Sequence, residues 1–241
     1  MLFFYLKYEK SGLNSDRYIT LEIKRKFSFY PKTKSMVNQK YIAIAKRSFK
    51  TKLELFLFET LRKNKSLTNE NVTEQHFLDF TINDENIQDY ENAWHVSEIN
   101  GIDVKEFDKQ IETWLIENTT LKTKLYQSYF NQYGTKFSLK SFEEFYDQKG
   151  ASRSCFYCKL SEGEFSILRD NSGLKTKRGR GKQMEIDRIN SNKEYTLQNV
   201  VLACYWCNNA KTDEFDDKEF GEIAKSIENI WRARLLKINR P

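Results

Sequence analysis

Apolar residues recur at helical spacing through much of the first 150 residues. In residues 40–64 they fall three and four positions apart, which predicts a helix with a buried face. The segments 103–118 and 121–134 show the same spacing, and Gly134 is expected to end the second of these helices. A shorter helix is predicted over 139–150. The stripe in the first helix consists of Phe49, Leu53, Phe56, Leu57 and Leu61.

A different pattern, the alternation of apolar and polar residues, predicts strands. It occurs in residues 17–30, where a strand or hairpin is expected, and again in residues 183–189. In the second stretch Glu185 and Asp187 are two positions apart, so both should project from the same face. The apolar run 199–204 predicts a further strand, and a helix is expected to begin close behind it.

The composition changes beyond Gly150, where cysteines, glycines and basic residues enter together. We therefore place a domain boundary there, with a mostly helical domain over residues 1–150 and a second domain over 151–241. A final helix is predicted near the C-terminus, and Asp216 with Glu219 has the form of a capping box at its start. The apolar stripe of that helix comprises Phe220, Ile223, Ile227, Ile230 and Trp231.

Composition indicates a folded protein, since 39% of the residues are hydrophobic and only two are proline. No apolar run approaches the roughly 18 residues that a membrane span needs, and the N-terminus lacks the features of a signal peptide. We expect a cytoplasmic protein without a membrane partner. The net charge is +8 over residues 1–60, −10 over 66–114 and +5 over 153–193. Such asymmetry suits a surface that meets a polyanion, although solvated lysine-rich faces explain it as well.

The four cysteines form two Cys-x-x-Cys pairs, Cys155 with Cys158 and Cys204 with Cys207. In a reducing compartment this arrangement indicates metal binding and not disulfides. Four thiolates complete a tetrahedral shell around Zn²⁺ with no open position, which is the usual sign of a structural site. Unrelated core cysteines or a redox pair are the alternatives, and the paired spacing disfavours them.

Between the two pairs lies a short basic segment that contains glycines. Its five cations fall within eight residues, and Gly179 and Gly181 disfavour a stable helix there. A basic loop of this kind suits the phosphate backbone of a nucleic acid, and as a solvated turn it would carry no function. The cations are Lys175, Lys177, Arg178, Arg180 and Lys182.

Together these elements resemble the HNH (ββα-metal) nuclease family in its zinc-bound form. The resemblance rests on the two cysteine pairs, Asp187-Arg188 at the end of the first strand, Asn199 in the connecting loop, and Asn208 with Lys211 in the helix. It covers roughly residues 150–215. It implies an α+β protein in which the mostly helical N-terminal region, with a small β element, precedes a zinc-bound ββα-metal domain carrying the C-terminal helix.

The resemblance also implies roles for individual residues. Asp187 and Asn208 would bind a catalytic Mg²⁺ or Mn²⁺ ion, because oxygen ligands suit a hard cation. Asn199 would hold the loop between the strands through backbone hydrogen bonds. Lys211 would approach phosphate or brace the helix. Such a site hydrolyses phosphodiesters with one metal ion and a histidine that activates water.

This chain departs from the family at Arg188, which stands where the histidine is expected. A guanidinium stays protonated and cannot accept a proton from water. Glu185 is the first candidate for a substitute base and Tyr195 the second, with Arg188 left to bind the phosphate or stabilise the transition state. Alternatively, metal-bound hydroxide attacks without a protein base, or His76 or His95 supplies one.

We therefore predict a metal-dependent endonuclease that acts on double-stranded DNA, in restriction or defence against foreign DNA. A module that binds nucleic acid without cleaving it is the alternative, and a purely structural zinc domain is the third interpretation. A homodimer, and a partner protein such as an ATPase, are both compatible with the sequence. Residues 1–150 are the candidate for target recognition or docking to a partner.

Overall fold

The computed structural model describes residues 36–93, 95–147, 152–172, 174 and 180–238. The strand predicted over 17–30 and the helix end predicted at Gly150 lie outside these residues. Met36–Pro241 forms one compact unit. The described residues are arranged as nine helices and two small antiparallel sheets.

Helix α1, Met36–Asn64, is the central element of the helical region. It buries apolar side chains on several faces, including Tyr41, Phe49 and Leu57, because other helices pack around it. It confirms the helix predicted over 40–64 and begins four residues earlier. The surrounding helices are α2 (Glu74–Asp79), α3 (Asp84–Ala93), α4 (Val104–Glu117), α5 (Thr119–Lys136) and α6 (Leu139–Asp147).

Helix α5 corrects the prediction that Gly134 ends it. The helix continues to Lys136, and the backbone N–H of Phe137 still donates to the carbonyl of Tyr133 at 2.8 Å. Phe137 is fully buried, so packing holds this last turn in place. A Cβ at Gly134 would lie in ordinary van der Waals contact, 3.8 Å from the hydroxyl of Tyr41, so packing does not require a glycine there.

The small β element that the structure describes is a hairpin in the acidic segment. Strands β1, Glu98–Ile99, and β2, Ile102–Asp103, are joined by Asn100 and Gly101. Both turn residues have positive φ, 51° and 80°, which is the conformation that an Asn-Gly turn favours. The dipeptide was a usable hairpin signal, and the sequence interpretation passed over it.

The second half of the chain begins with a helix that the sequence analysis missed. Helix α7, Glu162–Ser172, lies between the two cysteine pairs. Its start carries a capping box, in which Ser161 Oγ accepts from the N–H of Glu164 at 3.2 Å and Glu164 Oε2 accepts from the N–H of Ser161 at 2.8 Å. The Ser-x-x-Glu spacing could have located this helix.

The ββα unit follows. Strand β3, Glu185–Arg188, pairs antiparallel with β4, Val200–Ala203, so that Asp187 lies opposite Val201. Helix α8, Tyr205–Lys211, begins directly after Cys204. Both strands fall within the segments predicted for them, helix α8 begins directly behind β4, and together with the helical region these elements confirm the α+β class.

The last helix, α9, spans Asp217–Ile238. Its predicted capping box is present, since Asp216 Oδ1 accepts from the N–H of Glu219 at 2.7 Å and Glu219 Oε2 accepts in return from Asp216 at 3.1 Å. Trp231 packs against Trp206 of α8, with ring centroids 5.1 Å apart. The predicted stripe is partly wrong: Phe220 and Trp231 are buried, whereas Ile223 and Ile230 are 38% and 53% exposed.

Within the described part of the chain, no helix combines the length and apolar character needed to cross a bilayer.

Candidate metal and nucleic-acid site

The four cysteines come together in one buried cluster. Their Sγ atoms all lie within 4.8 Å of one another, and those of Cys158 and Cys204 are 3.8 Å apart. A tetrahedron with a Zn–S bond of about 2.3 Å requires sulfur atoms about 3.8 Å apart. Cys155 and Cys207 complete the set, so the cluster has the geometry of a structural zinc site.

The thiols of the cluster alter one another's pKa through the hydrogen bonds that join them. Hydrogen bonds from Cys158, Cys204 and Cys207 lower the pKa of Cys155, which holds the thiolate most easily. The hydrogen bonds that Cys204 and Cys207 donate to this thiolate, together with burial, raise the pKa of both groups. A divalent ion at the centre of the cluster would stabilise the thiolate form of all four groups.

The turn within the first pair also reaches the candidate catalytic strand. The hydroxyl of Tyr157, between Cys155 and Cys158, donates to Oδ2 of Asp187 at 2.8 Å. Burial and the neighbouring Asp187 raise the pKa of Tyr157, so the hydroxyl stays protonated and keeps its role as donor. The ring of Tyr157 packs on Phe220 of α9 at 5.0 Å. The cysteine cluster thus lies next to a group that is hydrogen-bonded to Asp187.

Asp187 lies in a partly buried position on β3. Burial raises the pKa of Asp187, while the Tyr157 hydroxyl and the charges of Lys211 and Arg188 act in the opposite direction. A desolvated carboxylate of this kind gains much from a bound cation. Asp187 therefore has the electrostatic setting expected of a metal ligand.

Glu185 and Asn208 meet on the same side of the unit. Nδ2 of Asn208 donates to Oε2 of Glu185 at 2.6 Å, so helix α8 lies against the carboxylates of β3. Asn208 follows Cys207 directly, and its N–H donates to the carbonyl of Cys204 at 2.9 Å. The carboxylate of Glu185 is 15% exposed. These contacts bring the amide of Asn208 together with the carboxylate of Glu185, and both groups carry oxygen atoms of the kind that hard cations prefer.

Arg180 occupies the other side of Glu185. Its Nε donates to Glu185 Oε1 at 2.8 Å and its Nη2 donates to Oε2, which makes a two-point ion pair. The guanidinium also stacks on the ring of Tyr205 at 4.8 Å and approaches Asn209 Oδ1 at 3.4 Å. The guanidinium of Arg180 therefore lies against the carboxylate of Glu185, at a position where a metal ion could also bind.

Arg188 points toward helix α1. Its Nη1 donates to Thr51 Oγ1 at 3.0 Å and to the carbonyl of Lys193 at 3.1 Å. The guanidinium packs over the ring of Tyr195 at 5.0 Å, and Nη2 lies 3.7 Å from Asp213, which is 81% exposed. One edge of the guanidinium is thus fixed inside the protein, and the edge toward Asp213 faces the surface.

Tyr195, the second base candidate, is buried and engaged on every side. Its hydroxyl accepts from Nη1 of Arg47 at 3.3 Å and its N–H donates to Ser48 Oγ at 2.8 Å. A cation stands over its ring, as described for Arg188. These contacts favour a structural role for Tyr195 over proton transfer.

Lys211 and Asn199 fasten the unit from within. Lys211 is fully buried, and its Nζ donates to the carbonyl of Arg188 at 3.2 Å and to Ser191 Oγ at 3.4 Å. Asn199 Oδ1 accepts from the N–H of Asn190 at 2.8 Å. Its Nδ2 donates to the carbonyls of Asn190 and Glu194 at 3.0 and 2.9 Å. Asn199 thus holds the loop between β3 and β4 closed.

The remaining predicted residues are placed as follows. Lys175, Lys177 and Arg178 lie outside the described residues. Lys182 is exposed. His76 is exposed in α2 and its Nδ1 lies 3.2 Å from the carbonyl of Asn71, while His95 is exposed near the hairpin. The structure brings neither histidine into contact with β3 or α8 within the part of the chain that it describes.

Three residues that contact the site were missed by the sequence analysis. Tyr157 orients Asp187, and its place between two cysteines was a usable signal. Thr51 and Lys40 belong to α1: Thr51 binds Arg188, and Nζ of Lys40 donates to the carbonyl of Met184 at 3.4 Å. No local pattern marks these two, because each contact joins positions more than 130 residues apart.

Comparison with known proteins adds one likeness. Among solved structures, this chain is similar to the rare-cutting HNH restriction endonuclease PacI, which is described as exhibiting an extraordinary mechanism of DNA perturbation. The identity is 28% over 45% of this chain and 78% of that one, with a TM-score of 0.36. No protein-family model and no curated protein matches the chain. A TM-score of this size assigns neither fold nor activity.

Proposed function

We propose that this protein is a metal-dependent endonuclease that hydrolyses phosphodiester bonds of DNA, with restriction or defence against foreign DNA as its setting. The observation that carries the proposal is the contact of Asn208 with Glu185 at 2.6 Å. It joins the amide of α8 to one carboxylate of β3, and Asp187 lies two residues further along the same strand, hydrogen-bonded to Tyr157 of the cysteine turn. A cysteine cluster that only stabilised the fold would not require this contact between an amide and a carboxylate.

In this proposal Asp187 and Asn208 hold a Mg²⁺ or Mn²⁺ ion through oxygen atoms, and the four cysteines hold Zn²⁺. The hard cation, when bound, supplies electrostatic stabilisation of the charge that develops on the phosphate. Tyr157 orients Asp187 by its hydrogen bond, and Lys211 keeps α8 fastened to the end of β3. In this proposal the cysteine site stabilises the fold, and the site at Asp187 and Asn208 takes part in the reaction.

Glu185 is our candidate for the group that accepts a proton from the attacking water. The water oxygen forms a bond to phosphorus, the bond from phosphorus to the leaving ester oxygen breaks, and the water proton passes to the carboxylate. Before substrate binds, Arg180 pairs with this carboxylate. Because the Arg180 side chain is 45% exposed, a phosphate group can draw it away from Glu185.

Arg188 cannot act as the base, and we assign it to phosphate binding at its surface edge. The Nη2 group now lies beside Asp213, an exposed partner whose ion pair contributes little to stability. A phosphate oxygen can replace that carboxylate while Nη1 stays bonded to Thr51 and Lys193. The buried edge then keeps the guanidinium in place for the substrate.

Nicking of a supercoiled plasmid with Mg²⁺ or Mn²⁺, by the zinc-loaded protein, tests the proposal. We expect cleavage that Asp187→Ala and Asn208→Ala abolish. Asn209→Ala is the matched control, since this neighbouring asparagine is exposed and its Nδ2 donates to the carbonyl of Tyr205. Full activity in Asn209→Ala with none in Asn208→Ala assigns the effect to the site and not to loss of α8.

Glu185→Gln tests the base. The amide keeps a hydrogen-bonding group beside Asn208 but cannot accept the proton, so the rate should fall by about 10²- to 10⁴-fold. Unchanged activity excludes Glu185. Binding of DNA without cleavage under any divalent ion would favour the non-cleaving module instead. Absence of zinc from the purified protein would overturn the fold assignment together with the function.

A further inference from the structure

Helix α1 contacts both ends of the candidate catalytic strand and the loop that follows it. Lys40 bonds to the carbonyl of Met184, the residue before β3, and Ser48 accepts from the N–H of Tyr195. Thr51 binds Arg188 at the end of β3. These contacts succeed one another along α1, so this helix forms one wall of the site.

The first part of α1 is strongly basic. Residues 36–53 contain five cations and no acid, and the first carboxylate of the helix is that of Glu54. Three of these cations are exposed and face solvent: Lys46, Arg47 and Lys50. At 3.6 residues per turn they share one arc of the helix, next to the row that contacts β3 and its loop. We call these three residues the basic face of α1.

Two of the three cations of the basic face have no carboxylate partner among the described residues. Lys50 pairs with Glu54 at 3.5 Å, and its side chain is 67% exposed. Among the described residues, none brings a carboxylate within ion-pair distance of Lys46 or Arg47. Arg47 instead donates to the hydroxyl of Tyr195, whose ring carries the guanidinium of Arg188. Arg47 and Tyr195 therefore connect the basic face to Arg188 of the candidate site.

We propose that the basic face of α1 binds the phosphate backbone of the nucleic acid whose scissile bond lies at β3. This inference rests on the proposed function and extends its substrate contacts beyond the ββα unit. Lys46 and Lys50 are about one helical turn apart, a rise of about 6 Å. Phosphates follow one another along a strand at a rise of about 3.4 Å, so the two side chains are close enough together to contact phosphates of one strand.

The composition of the basic face favours a nucleic acid over a lipid surface. Helices that bind membranes present large apolar side chains beside their cations. Here the exposed residue next to the cations is Ala43, and the large apolar side chains of α1 are turned into the core except for Met36 at its first position. A polyanion suits the basic face. Because the basic face lies beside the carboxylates and the amide of the candidate site, we expect this polyanion to be a nucleic acid.

The test compares Lys46→Gln/Lys50→Gln with the native protein in binding a fluorescently labelled DNA duplex, by anisotropy at several salt concentrations and without added Mg²⁺. Each lost phosphate contact should reduce the slope of log K against log salt by about 0.9, so the double variant should lose nearly 2. Its affinity at moderate salt should fall about tenfold or more. Lys63→Gln/Lys109→Gln is the control, since these side chains are 67% and 73% exposed elsewhere and remove the same charge.

Four outcomes are decisive. Loss of affinity and slope in the double variant, with the control unchanged, supports the inference, and a duplex RNA of the same sequence shows which nucleic acid is preferred. Binding by the native protein with an unchanged slope in the double variant overturns the inference and leaves the proposed function standing. Binding to vesicles with anionic lipid but not to duplexes overturns it in favour of a membrane. Native protein that binds neither nucleic acid overturns both.

A second measurement separates binding from chemistry. In the nicking assay the double variant should need at least tenfold more DNA to reach half of the maximal rate, and the maximal rate itself should stay unchanged. Asp187→Ala should abolish the rate and leave the salt slope of binding nearly unaltered. A double variant that loses maximal rate at saturating DNA would contradict a role confined to phosphate binding.

Discussion

Arg188 and Thr51 are hydrogen-bonded at 3.0 Å although 137 residues separate them in sequence. The bond joins the end of β3 to the middle of α1, and it uses the residue that stands where the HNH pattern has histidine. A base was expected at this position, and the structure shows a guanidinium that fastens one wall of the candidate site. Substitution at Arg188 should therefore affect stability as well as substrate binding.

We predict that Arg188→Ala and Thr51→Val are coupled. A partly buried hydrogen bond from a charged donor contributes about 1 to 2 kcal/mol, so the double-mutant cycle should give a coupling free energy in that range. Denaturant unfolding of the zinc-loaded protein measures it. Asp213→Asn supplies the control, because its exposed ion pair with Arg188 should give a coupling below about 0.5 kcal/mol. Equal coupling at both positions would show that the contact with α1 has no special importance.

The pattern of residues indicated part of this site and not the rest. The cysteine pairs, the alternation of β3 and the asparagine after Cys207 are local signals, because strand and helix periods fix which side chains share a face. The contact of Arg188 with α1 joins distant segments, and no periodicity encodes such a pairing. The same limit applies to Ile223 and Ile230, since an apolar stripe does not reveal how many of its residues find a neighbour to pack against.

Asn199 should be important for stability out of proportion to its size. Its buried side chain makes three hydrogen bonds to the backbone of the loop between β3 and β4. Asn199→Ala leaves those backbone groups without a partner, and we expect a loss of about 2 to 4 kcal/mol in the free energy of unfolding. Asn171→Ala, on an exposed position of α7, should change it by less than about 0.5 kcal/mol. A loss below 1 kcal/mol at Asn199 would show that water replaces its bonds readily.

The cysteine cluster should be essential for folding. Zinc binding contributes on the order of 10 kcal/mol of apparent stability in small modules, so Cys207→Ser or removal of zinc with a chelator should unfold the ββα unit. Loss of near-ultraviolet circular dichroism from Trp206 and Tyr205 would report it. Phe156→Ser lies in the turn of the first pair but is 42% exposed, and it should leave zinc content at one ion per chain. A stable, zinc-free Cys207→Ser protein would refute the assignment of the cluster.

The last prediction concerns the cost of holding Asp187 in place. Burial raises the pKa of Asp187 above its value in the unfolded chain. The protonated form is therefore favoured in the folded protein, and the stability that this gives at low pH is lost as pH rises through the raised pKa. Asn cannot ionise and can still accept from Tyr157. Asp187→Asn should consequently stabilise the protein at neutral pH and have little effect at acidic pH.

Melting of the zinc-loaded proteins without added Mg²⁺, across a range of pH, measures this difference. The advantage of Asp187→Asn over the native protein should grow with pH, whereas Asp213→Asn, at an exposed carboxylate, should show no such trend. Addition of Mg²⁺ should then stabilise the native protein and not the Asp187→Asn variant, because only the native protein retains the carboxylate ligand. An Asp187→Asn protein that is less stable at neutral pH would mean that Tyr157, Lys211 and Arg188 outweigh burial, and that the carboxylate is held for structure and not for a metal ion.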